Sequence, residues 1–206
     1  MALSGKNPIL KRVFGVLVAV TSLLSAAPTA SARMDLPQYE FTKPPEAFGV
    51  VGPFSCEYVW RKGVKAFGNM VQLASGYTYQ GPRACAPGET NPSSHHKSGR
   101  ALDVIIDHRD PDEQLDGRAL MLYLFADGAE NLRRLGVVEI IWGGRIWTTA
   151  SDSDDNVTHR LKSWRVHRGC TPDDDPTFCH YDHIHFSLST RGASKRTTFW
   201  TSRTSS

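Results

Sequence analysis

The sequence predicts an α+β domain, a small antiparallel sheet with flanking helices, and two patterns carry that expectation. Helix-like stretches occupy residues 56–68 and 118–135. Short apolar or alternating runs at 71–77, 102–106, 137–142, 145–148 and 183–188 have the length and side chains of strands. Turn-forming segments separate them, and there is no internal repeat.

At the start of the chain, Lys6, Lys11 and Arg12 precede an apolar run over 13–24, and Ala30-Ser31-Ala32 follows as a small-residue cleavage site. This is the layout of a secretory signal peptide, and the run is short of the ~20 residues that span a bilayer. Residues 1–32 are therefore expected to be removed, leaving 174 residues from Arg33 with no stable membrane anchor. That length suits one domain with a real core. Residues 33–53, rich in Pro, read as an extended lead-in, and 54–206 as the domain itself.

Within the domain, Tyr58, Trp60, Val64 and Phe67 supply the apolar positions of the first helix. A strand over 71–77 and a Gly/Pro-rich loop over 80–92, closed by Cys85, come next. The β-branched run at 102–106 suits a buried strand with Asp103 at its start. After a polar turn at 107–116, the helix over 118–135 is apolar nearly all round between 119 and 125, which marks it as buried. Gly143-Gly144 reads as the turn of a hairpin joining 137–142 to 145–148. In the last strand, alternation puts His183 and His185 on one face, so both can enter one cleft.

The formal charge of +3 is carried by the leader, which holds three basic residues and no acidic one. The remainder balances at 21 of each sign, which argues against a nucleic-acid partner, since phosphate neutralisation needs a concentrated basic surface. Four cysteines in an exported chain predict two disulfides, with Cys56–Cys85 and Cys170–Cys179 favoured because each pair flanks a loop-like stretch. No Cys-x-x-Cys pair supports a cysteine zinc site. The acidic runs 151–156 and 173–175 lack the ligand alternation of a calcium loop and read as solvated. The triplet Asn156-Val157-Thr158 fits a glycosylation acceptor and carries no functional weight.

The chemistry concentrates in Ser94-His95-His96-Lys97-Ser98-Gly99-Arg100-Ala101-Leu102-Asp103, answered by Asp182-His183-Ile184-His185. Two histidines and a carboxylate form a nitrogen and oxygen donor set that suits Zn²⁺, and three protein ligands leave a fourth position open for chemistry. In full, Ser94-x-His96-x-x-Gly99-x-Ala101-x-Asp103 with Asp182-x-x-His185 resembles the zinc peptidases of the D-alanyl-D-alanine carboxypeptidase group, which share a fold with lysostaphin-type peptidases and the hedgehog domain. Residues 140–142, 145–147 and 198–200 are similar to a poorly characterised secreted branch of that superfamily, so the resemblance spans about 55–200.

The resemblance implies a hedgehog-like or D-Ala-D-Ala peptidase-like fold, with His96, Asp103 and His185 as zinc ligands. His95 is the adjacent competitor, but only His96 stands in the motif's register. It further implies Asp182 as general base and His183 as the hydrogen-bond donor that steadies the oxyanion. One departure stands out: Ser75-Gly76-Tyr77 is followed by Thr78, where bacterial members often carry an arginine for the substrate, leaving Arg83 and Arg100 as substitutes. Glu139 and Asp107, acidic residues near strand ends, read by default as exposed charge, with support of the ligands from behind as the alternative. There is no Gly-x-Ser-x-Gly elbow, phosphate loop or His-Glu-x-x-His helix.

The expected protein is thus a secreted or wall-associated, monomeric zinc peptidase acting on peptidoglycan peptides, at a D-alanyl bond as one option. The alternative is a non-catalytic module that keeps zinc to hold itself together or to bind a wall component or a protein. A metal-dependent nuclease or esterase is a third, weaker option.

Overall fold

Six antiparallel strands form one sheet: β1 (Tyr79–Gln80), β2 (Ala101–Val104), β3 (Val137–Trp142), β4 (Arg145–Thr148), β5 (Arg165–Val166) and β6 (Ile184–Leu188). Their order is β1-β2-β6-β3-β4-β5. Among the described residues, helices α1 (Lys62–Ser75), α2 (Pro111–Leu135), α3 (Thr190–Ala193) and α4 (Thr198–Thr201) accompany the sheet in an α+β fold. The structure is a computed structural model that describes residues 34–90, 92–149 and 164–204. The expected signal peptide, the acidic run 151–156 and the Asn156 triplet lie outside the described residues.

The sheet has one dry face and one polar one, and strand register decides which side chain goes where. Cross-strand partners share a face. Leu102, Phe186, Ile140 and Trp147 are successive partners across β2, β6, β3 and β4, and all are fully buried. Phe67 of α1 packs its ring 5.2 Å from Phe186. The neighbouring row, on the opposite face, is Asp103, His185, Ile141, Ile146 and Arg165. A slip of one residue would swap the two rows, so the apolar row, at about 1.5–3 kcal/mol per buried large side chain, fixes the polar one.

The first helix differs from its expected place. Residues 56–60 form neither helix nor strand, and Cys56 is tied to Cys85 while the N–H groups of Glu57 and Tyr58 donate to the Lys97 carbonyl. The helix starts at Lys62 and runs through most of the stretch expected as a strand, because Val64, Phe67 and Val71 make one buried stripe at helical spacing. Gly76, left-handed at φ 81°, ends it with an N–H bond to the Gln72 carbonyl.

Helix α2 begins seven residues before the expected start: the Asp110 carboxylate accepts the N–H groups of Asp112 and Glu113 at 2.9 and 3.0 Å, and Pro111 takes the first helical position. It is interrupted at Ala126–Ala129, where Asp127, Gly128 and Ala129 are left-handed, and the Asn131 side chain donates to the Tyr123 carbonyl at 3.1 Å. The hairpin stands as expected, with positive φ at both Gly143 and Gly144. Cys56–Cys85 and Cys170–Cys179 are both formed. Two disulfides fit an oxidising compartment. No helix among the described residues is long and apolar enough to cross a membrane.

Candidate metal centre

Three elements deliver three donor atoms to one point above the polar face. Asp103 stands on β2 directly opposite His185 on β6, and His96 comes from the loop before β2. That loop is built by its own motif residues. The Ser94 hydroxyl accepts the His96 N–H at 3.3 Å, and the Gly99 N–H donates to the His96 carbonyl at 3.1 Å. Gly99 is left-handed at φ 66°, and a Cβ there would stand 1.9 Å from the Val59 carbonyl oxygen, so only glycine closes this turn.

His96 Nε2, His185 Nδ1 and Asp103 Oδ1 lie 3.0, 3.1 and 3.0 Å from one another, and all three residues are buried. Ligand atoms of a tetrahedral zinc ion with ~2.0–2.1 Å bonds stand about 3.3 Å apart, so shifts of a few tenths of an ångström suffice. The outer hydrogen bonds fix which atom turns inward. His96 Nδ1 lies 2.8 Å from the Gly81 carbonyl, an acceptor only, so the proton sits on Nδ1 and the Nε2 lone pair points in. His185 Nε2 donates to Ser187 Oγ at 2.9 Å, and that hydroxyl donates to Glu139 at 3.0 Å, which leaves Nδ1 as donor atom to a metal. Glu139 and Ser187 are cross-strand partners one row beyond His185. Arg83 donates to the outer Asp103 oxygen at 2.7 Å. The buried His96-Asp103-His185 group can hold a metal ion.

The electrostatics agree with a cation site. Burial works against the charge on Asp103, yet the neighbouring His185 and His96 hold its carboxyl far below the usual range. Burial likewise opposes the charge on His185, but Asp103 and Glu139 overcome it and push this imidazole up to about 9. Glu139 is lowered to about 2, its burial outweighed by His185 and Ser187. Burial keeps His96 neutral by pushing its pKa down.

The other expected residues fall as follows. His183 turns Nε2 to within 3.6 Å of Asp103 Oδ1, while its Nδ1 lies 2.6 Å from Asp182. Both Asp182 carboxylate oxygens are engaged: one meets His183 and the other accepts the Thr177 hydroxyl at 2.5 Å. Burial opposes it, but those bonds hold the Asp182 carboxyl below its ordinary range, which makes it a weak proton acceptor. His95 turns away, with Nε2 3.3 Å from the Gly52 carbonyl and its ring 4.5 Å from Phe54. Of the two candidate arginines, Arg83 reaches the site, whereas Arg100 is buried against the Leu188 and Pro53 carbonyls. Asp107 pairs with Arg109 and takes no part.

The centre opens into a cleft of about 760 Å³. The loop closed by Cys170–Cys179 forms one wall and brings His180 to 4.6 Å from the His183 ring. His167 stands 5.2 Å beyond it. Neither was legible as a site residue. Ser187 was not named either, although it follows His183 and His185 on the same face of the strand.

Fold and centre together define a small α+β domain with a buried His-Asp-His group at the floor of a cleft. The family model described as VldE, C-terminal domain, matches residues 60–168, just over half of the chain, and the chain belongs to this family. The match covers His96 and Asp103 and stops before His185. No curated protein and no solved structure matches the chain.

Proposed function

We propose that the protein is a secreted zinc-dependent hydrolase that cuts peptide bonds in peptidoglycan peptides. The observation that carries this reading is the prearranged donor triangle at 3.0–3.1 Å with His183 Nε2 facing it from the cleft. The motif's likeness to the D-alanyl-D-alanine carboxypeptidase and lysostaphin group supports the bond type and, with the leader-like segment, the wall substrate. Zinc held there supplies a Lewis acid for an amide carbonyl and a water of lowered pKa.

The chain's own residues then divide the remaining work. With Nδ1–H bound to Asp182, His183 keeps the Nε2 lone pair toward the centre, where it takes a proton from the attacking water and returns it to the leaving amine. Asp182 is a positioning residue in this scheme, and Thr177 fixes the carboxylate in turn. Arg83, half exposed and anchored on Asp103, has donors left for a substrate carbonyl, the task for which Thr78 is unsuited.

The test is mass spectrometry of peptides released from purified peptidoglycan by the zinc-loaded protein, with a chelator control. Chelator-sensitive fragments that vanish in His183→Ala while zinc stays bound are the expected result. Retained zinc with no fragment from the wild type would overturn the peptidase reading and favour a zinc-held binding module.

A further inference from the structure

The polar row does not stop at the donor group. Beyond His185 it continues through Ile141 and Ile146, 6% and 9% exposed, to Arg165 on β5. Adjacent strands lie about 4.8 Å apart, so three strand steps separate the backbones of His185 and Arg165 by roughly 14 Å. Arg168 follows in the bend after β5, with its guanidinium 5.7 Å from the centre of the exposed Phe178 ring. All of these line the cleft that holds the donor group.

The two arginines differ from the others around them. Arg83, Arg100, Arg109 and Arg134 are each bound to a carboxylate or carbonyl. Arg165 and Arg168 have no carboxylate partner among the described residues. The acidic residues of the same cleft are engaged elsewhere: Glu139 with Ser187, and Asp175 with the Phe178 N–H at 2.7 Å.

We propose that Arg165 and Arg168 form a carboxylate subsite for a peptide laid across the sheet. Such a peptide sets an apolar residue over Ile141 and Ile146 and a carboxylate about two to four residues from the bond at the donor group, given ~3.4 Å per extended residue. Guanidinium forks match carboxylate geometry, and among the described residues neither fork has a carboxylate pair to break first. The carboxylate belongs either to the chain end or to a side chain. The inference rests on the peptidase reading for the bond that is cut.

Its test uses soluble peptides from a muramidase digest of purified peptidoglycan, untreated or with carboxyls converted to carboxamides. Both are passed over the immobilised zinc-loaded protein and over Arg165→Gln/Arg168→Gln, retained peptides are identified by tandem mass spectrometry, and cleavage is followed in parallel. The wild type is expected to retain untreated peptides about tenfold better than amidated ones. The variant loses that preference with unchanged zinc content and melting temperature. Partly amidated peptides that are still retained reveal whether the free carboxyl is terminal or on a side chain. Absence of charge-dependent retention by the wild type, or an unchanged preference in the variant, overturns the subsite even when cleavage occurs. Preference without cleavage keeps the subsite and removes the peptidase reading.

Discussion

At the β2–β6 end of the cleft, His96, Asp103 and His185 meet at 3.0–3.1 Å and are braced from behind by Gly81, Arg83 and Ser187 at 2.7–2.9 Å. At the β5 end, two guanidiniums have no carboxylate partner among the described residues, and the apolar residues Val166 and Phe178 are half exposed. One end is finished before anything arrives, as a metal site must be to fix its ligands. The other carries its exposed charge and apolar surface as a substrate-binding surface does.

The sharpest way to break this contrast is to remove the ligand that joins the two histidines. Asp103→Ala is expected to lower bound zinc from one per chain to near zero by elemental analysis, whereas the Arg165 and Arg168 substitutions leave it at one. Next in size, Asp182→Asn keeps zinc but lowers turnover of released peptides about 10²- to 10⁴-fold, since His183 loses its tautomer partner. Ser187→Ala cuts the link from His185 to Glu139 and should weaken zinc about 10- to 100-fold in a chelator competition, with no change at the arginine end.

Acidity separates the ends further. In the metal-free protein the His185 proton, held up to a pKa of about 9, competes with zinc, so affinity should rise with pH and level off near that value. Zinc affinity that is flat between pH 6 and 9 would remove His185 from the ligand set. The smallest expected contrast is in the disulfides, which span 29 and 9 residues. Chain entropy gives about 3.6 and about 2.6 kcal/mol for the two loops, so Cys56→Ser/Cys85→Ser should lower stability in urea about 1 kcal/mol more than Cys170→Ser/Cys179→Ser.

How much of this was legible in the sequence depends on whether local pattern or distant contact sets each residue. That His183 and His185 share a face follows from strand alternation, and the Gly143-Gly144 hairpin from turn chemistry. The Asp110-Pro111 start of α2 was legible in principle, as a capping carboxylate before a first-turn proline, but its polar surroundings read as a turn. The first helix was displaced because residues 56–60 answer to a disulfide and to Lys97, neither of which leaves a periodic trace. β5, two residues long, is visible only through its pairing with β4. The role of Arg83 depends on a non-repetitive loop that carries it back to Asp103. Asp182 shows the remaining limit: spacing put it near the site, but only the side-chain geometry places its carboxylate on His183 Nδ1.

The most direct measurement is zinc K-edge X-ray absorption on the zinc-loaded protein. A four-coordinate shell of nitrogen and oxygen at about 2.0–2.1 Å, with the scattering of two imidazoles, is the expected spectrum. Sulfur in the first shell, a six-oxygen shell, or the same spectrum after Asp103→Ala would contradict the His96-Asp103-His185 centre.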